Sequence, residues 1–240
     1  MIKIIYAEKA KEGISREQFV RRWRKHGAYA MGYDDFWSPV SRYLHNNAVV
    51  DTSGFPYSQP DYDGVGELVF ANGEDCSRSL SAPSLRDIAL DADQFFSRKD
   101  LISLVCETHQ LYCQRFAEIK VFSFLHRAPG VDPDGFFLQW ESMLAELSPQ
   151  FCAQNGVRQL ASSRPLKPTP TRPVMAGSDF DVVVDLSFDT LEEARRGYDQ
   201  WLTVIASGGK NNPPIDMAGT VTIVTHSSLQ YDASHFGTQG

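Results

Sequence analysis

Three side chains in this 240-residue sequence are suited to moving a proton: His26, Tyr43 and His45. Phe19, Trp23, His26 and Ala30 recur at helical spacing, so His26 falls on the stripe that must pack inward. An imidazole titrates near neutrality, and an apolar pocket can hold it there for general acid-base work. Tyr43 and His45 are two apart on an expected strand, which puts them on one face. A tyrosine next to a histidine can hydrogen-bond a substrate carbonyl or phenol and stabilise charge developing on oxygen. The competing accounts are a core histidine satisfied by a backbone carbonyl and strand residues that face solvent.

Glu67 sits inside an apolar run, as does Asp185 farther on. A buried carboxylate of raised pKa is one reading; pairing across an internal pseudo-twofold interface is the other. Tyr6, Tyr33, Trp37, Phe55, Tyr57 and Tyr62 enrich the first half in aromatics. Tyr6, Trp23, Tyr33, Trp37, Tyr62 and Glu67 are the expected substrate-binding set, since planar rings stack on planar ligands. Residues 51–61 are the expected lid.

Those side chains need elements to hold them. Ser15-Arg16-Glu17-Gln18 is a capping box that starts a helix, Asp132-Pro133 an N-cap followed by proline, and Thr190-Leu191-Glu192-Glu193 a second capping box. Strands are expected over residues 2–9, 40–50, 62–70 and 101–111, with helical character over 74–96 interrupted near Pro83. Residues 164–174 hold four prolines and read as an exposed loop.

Shifting the chain by 117 residues sets Ile2-Lys3-Ile4-Ile5 on Ile119-Lys120-Val121-Phe122, Phe19 on Phe136 and Trp23 on Trp140. Such self-similarity suggests duplication. The expected fold is therefore α+β: two ferredoxin-like βαββαβ repeats, 1–113 and 114–231, packed sheet to sheet as an intramolecular pseudo-dimeric barrel, with 232–240 as a tail. At the positions of His26, Tyr43 and His45 the second unit has Met143, Gln159 and Ala161. The first unit is thus the expected active one, and the second a degenerate partner. His109 and His226 match each other and read as scaffold.

A net charge of −7 and a pI near 5.3 argue against nucleic acid. No run of residues is apolar and long enough to span a bilayer, and no signal peptide is visible, so a cytoplasmic address is expected. Four cysteines, widely spaced, fit neither a zinc site nor a disulfide scaffold. Phosphate loops, His-Glu-x-x-His pairs and Gly-x-Ser-x-Gly elbows are absent from the sequence.

The opening Met1-Ile2-Lys3-Ile4-Ile5-Tyr6, the helix Phe19-Val20-Arg21-Arg22-Trp23-Arg24-Lys25-His26-Gly27, the strand Ser41-Arg42-Tyr43-Leu44-His45-Asn46-Asn47 and residues 62–70 resemble the EthD family. His26 stands where that family's Trp-x-x-His-Gly pattern has its histidine. The resemblance implies a dimeric α+β barrel with a ligand cavity between sheet and helices of each unit. The function expected from it is a cofactor-free enzyme of lyase or isomerase type. It would work by His-centred acid-base catalysis on a small aromatic or polyketide-like compound, with no metal. A noncatalytic binding or accessory protein is the alternative, and haem ligation by His26 or His109 a minor one. A small hydrophobic ligand is the expected partner, and a further homodimer is compatible with the reading.

Overall fold

In the computed structural model, residues 1–166, 179–207 and 214–235 are described. Eight strands are present among them: β1 (Ile2–Ala10), β2 (Val40–Ala48), β3 (Gly64–Phe70), β4 (Phe96–Cys113), β5 (Ile119–Arg127), β6 (Gln159–Pro165), β7 (Val182–Phe188) and β8 (Ile215–Asp232). Six helices accompany them: α1 (Arg16–Met31), α2 (Asp34–Trp37), α3 (Gly73–Leu80), α4 (Leu85–Ala92), α5 (Pro133–Asn155) and α6 (Leu191–Ala206). The expected capping box starts α1, with Ser15 accepting from Gln18, and N-caps start α5 and α6, with Asp132 and Thr190 accepting from Gly135 and Glu193.

All strands are antiparallel and close in the order β1-β3-β2-β8-β5-β7-β6-β4. This corrects the expectation of two ferredoxin-like sheets stacked face to face. The halves share one eight-stranded barrel, joined by hydrogen-bonded ladders of β2 with β8 and β4 with β6. The long strands β4 and β8, 18 residues each, reach past their own half and pair with the other. Closure leaves no open row of backbone donors and acceptors, which two stacked sheets would have exposed at four edges.

Alternation along the strands sorts side chains into two environments. Ile5, Ala7, Val65, Leu104, Phe122, Phe124, Val183 and Ile223 form one cluster drawn from strands of both halves, and it fills the barrel interior. Ile4, Leu68 and Phe70 face outward and pack under the first half's helices, while Val121, Leu186 and Val224 do so under α5 and α6.

Lys3 and Lys120 share the inward face with Glu67 and Asp185, and all four are buried. Lys3 Nζ lies 2.8 Å from Glu67 and 3.3 Å from Asp185; Lys120 Nζ lies 2.7 Å from Glu67. Burial by itself would raise the Glu67 pKa, but the two ammonium groups outweigh it and hold the carboxyl well below its usual range. Glu67 is therefore an ionised internal tie, and the raised-pKa reading is corrected.

The loop between β2 and β3 also departs from expectation. Its Phe55 is buried in the second half's core against Tyr198, ring centroids 6.2 Å apart. Backbone bonds join Val49 to Val224, and Tyr57 and Gln59 to Thr222, while Arg195 Nε donates to Ser53 O. Residues 51–61 thus cover the second half and do not form a lid over the first. Arg16 anchors the loop's base by donating to the carbonyls of Ala48 and Val49 and to Asp63. The expected loop at 164–174 is shortened at its start, because β6 runs to Pro165 at its end; residues 167–178 lie outside the described ones.

Candidate functional site

Helix α1 lies on the outer face of β1, β2 and β3, and the chemistry-bearing residues meet there. Trp23 is fully buried and stacks on His45, centroids 4.2 Å apart and planes 21° from parallel. Gly27 lets the helix come this close: a Cβ built on it would sit 3.0 Å from Tyr43 Cε1 and 3.5 Å from the His45 ring. His45 Nε2 is 2.6 Å from the Tyr43 hydroxyl, which is 3.2 Å from the Tyr6 hydroxyl. The shared face of Tyr43 and His45 is thus a hydrogen-bonded one.

Burial disfavours charge on each of these groups. It pushes the Tyr6 phenol up to about 12 and Tyr43 well above its usual value, the latter with help from Tyr6. It also pushes His45 down to about 3, aided by the charges of His26 and Arg24. The trio is neutral across the physiological range.

His26 projects from α1 one turn beyond Trp23 and is buried against Phe95 and Phe96. Its Nδ1 is 2.7 Å from Asp91 Oδ2 on α4. Arg22 bonds the other oxygen of Asp91. Burial alone would raise the Asp91 pKa, but Arg22 and His26 together hold it below the usual carboxylate range. A carboxylate behind an imidazole fixes its orientation and tautomer.

Between α1, α2, α4 and the barrel lies a cavity of about 120 Å³. Tyr6, His26, Trp37 and Tyr43 line it, with Ile4, Leu68, Ile88 and Phe96 among its apolar walls and Glu8 and Ser103 as further polar ones. Of the expected residues, His45 and Trp23 stand one layer behind the lining. Tyr33 is outside it, its hydroxyl paired with that of exposed Tyr29. Tyr62 packs with the barrel-interior cluster, and Lys9 Nζ sits over its ring. Glu67 is inside the barrel and away from the cavity. His109 and His226 are exposed.

Asp91, Glu8 and Ser103 were missed from sequence. Asp91 carries no local signal, being 65 residues from its partner. Glu8 and Ser103 had one: period-two alternation places Glu8 on the face of Tyr6. The equivalent space in the second half is filled by Trp140, Met143, Tyr198 and Trp201, all buried.

Residues 11–99 match the model of the EthD domain. The EthD match falls within the first half, where the cavity is, so the expected tandem pair of EthD domains is corrected to a single matched segment. No curated protein sequence matches the chain. Solved structures share the barrel at low identity, which bears on fold alone. A proposed monooxygenase from Fusobacterium nucleatum is 8% identical, with TM-score 0.56 and 95% and 93% of the two chains covered. A proposed chlorite dismutase has 8% identity, TM-score 0.52 and coverage of 95% and 94%. A haem-binding protein from Thermus thermophilus has 8% identity, TM-score 0.49 and coverage of 94% and 90%.

These likenesses overturn the expectation of a cofactor-free lyase or isomerase. The fold is shared with proteins described as a proposed monooxygenase and a proposed chlorite dismutase. An EthD segment on this barrel therefore does not imply cofactor independence. Among the described residues, no helix is long and apolar enough to cross a membrane, and no cluster of three His, Cys, Asp or Glu side chains is placed to hold a metal ion. Cys76, Cys106 and Cys152 are buried free thiols, and Cys113 is an exposed one.

Proposed function

We propose that the first half of the chain binds a small, largely apolar molecule of about one aromatic ring in the cavity between α1, α4 and the barrel. The observation that carries this reading is the cavity of about 120 Å³ whose walls are apolar apart from a few placed polar groups. Ligand sites have that composition, and an apolar cavity of roughly 150 Å³ accepts benzene. His26, with Nδ1 held by Asp91, is the imidazole in the wall positioned to exchange a proton with the occupant.

A haem group would meet one candidate ligand in this cavity. His26 is the side chain of the cavity that would ligate an iron, with Asp91 behind it. Yet the space holds about one ring, and a four-pyrrole macrocycle does not fit between α1, α4 and the strands. His109 is excluded by its exposure on the barrel's outer surface.

The test is ligand-detected NMR with toluene, phenol and naphthalene, on the protein and on Ala92→Phe, which fills the lining. Binding of the single-ring compounds, weaker binding of naphthalene and loss of all three in Ala92→Phe are expected. Unchanged binding in Ala92→Phe would place the ligand elsewhere. A haemin titration giving a Soret shift that His26→Ala removes would overturn the size argument.

A further inference from the structure

His45 Nε2, the Tyr43 hydroxyl and the Tyr6 hydroxyl form a chain of two hydrogen bonds. Their direction depends on which ring nitrogen of His45 carries the proton. His45 Nδ1 is buried with no hydrogen-bond partner among the described residues. A stranded N–H in the interior is worse tolerated than a bare lone pair, which places the proton on Nε2. Nε2–H then donates to the Tyr43 oxygen.

That assignment fixes a surplus. Nε2 of His45, Tyr43 and Tyr6 bring three hydrogens to a chain of two internal bonds, so one phenolic hydrogen is always left over. The opposite tautomer would leave none. Trp23, edge-on to Tyr6, has an indole N–H near the same hydroxyls and only adds to the donors. Both tyrosines line the cavity. The wall of an apolar cavity thus presents a surplus phenolic donor and calls for an acceptor, because an unmet buried donor is costly. Glu8 in the same lining makes an anionic occupant the poorer choice.

We propose that the occupant is a neutral oxo compound, an aryl ketone or aldehyde, whose carbonyl oxygen accepts from the Tyr6–Tyr43 pair. His45 is a positioning residue: it touches no ligand and sets the direction of the chain. The inference rests on the cavity reading above and adds the chemical class to it.

The experiment compares acetophenone with ethylbenzene, which has similar shape and no oxygen. In the wild-type protein acetophenone is expected to bind about tenfold more tightly, as one well-made hydrogen bond allows. The carbonyl stretch of ¹³C=O-labelled acetophenone should move to lower frequency on binding. Both effects should vanish in the double variant Tyr6→Phe, Tyr43→Phe. The ¹⁵N shifts of His45, read in the wild-type protein so that no variant need fold, should show protonated Nε2 and bare Nδ1. Equal binding of the two compounds without a carbonyl shift, or a proton on Nδ1, overturns the inference and leaves the cavity reading standing. Binding of neither compound removes both.

Discussion

Lys120 Nζ, from the second half of the chain, lies 2.7 Å from Glu67 Oε1 of the first, inside the barrel. Lys3 Nζ bonds the other oxygen of the same carboxylate, and Asn46 Nδ2 donates to Oε1 at 3.0 Å. One buried carboxylate thus joins strands from both halves, and it favours the register that brings β1, β3 and β5 together.

Glu67→Gln should destabilise the fold by about 3–5 kcal/mol, since it leaves two buried ammonium groups sharing the single carboxylate of Asp185. Urea unfolding would measure it. The sign with pH follows from the depressed carboxyl pKa. The Glu67 contribution is complete above the unfolded value near 4.5 and is lost as pH falls below it. A variant as stable as the wild type at pH 7 would show the tie to be dispensable.

His45 gives a second acid-limb prediction. Its folded pKa of about 3 lies below the ordinary 6.5, so the unfolded chain binds the extra proton between those values and stability falls on acidification through that window. The slope is about 1.4 kcal/mol per pH unit for one such group. His45→Gln should remove this component, which a comparison of midpoints from pH 7 to pH 4 would reveal.

Gly27→Ala tests the close approach of α1. Alanine raises helix propensity by about 1 kcal/mol, but its Cβ would meet Tyr43 Cε1 at 3.0 Å. Tyr43 is pinned by two hydrogen bonds and cannot yield readily, so overpacking of about 1–3 kcal/mol should win. A lower melting temperature and weaker binding of single-ring probes are expected. A gain in stability would mean that the tyrosine moves freely.

Phe55→Ala separates the two accounts of the β2–β3 loop. Removing a phenyl ring buried beside Tyr198 should cost about 3 kcal/mol or more, while probe affinity at the first-half cavity stays within about twofold of the wild type. A large loss of affinity with little loss of stability would restore the lid.

Much of the site was legible before the fold. The stripe Phe19, Trp23, His26, Ala30 is buried as its spacing requires, and the two-residue step from Tyr43 to His45 became a hydrogen bond. Tyr62 and Glu67 went astray for one reason: aromatic or acidic character says that a residue has a job, not which of two buried surfaces it faces. A closed barrel has an interior as well as a helix-covered outside, and Glu67 and Tyr62 belong to the first.

The sequence by itself determined what is set within a few residues: where helices start, which positions share a face, and that the first half keeps the histidines and tyrosine the second lacks. Capping, helical period and strand alternation are local, so the chain states them directly. Tertiary structure alone decided that Asp91 stands behind His26, that β2 and β8 close the barrel, and that Phe55 serves the opposite half. Each of these joins segments far apart in the chain, and which distant segments meet depends on how all the strands and helices together bury apolar surface and pair backbone groups.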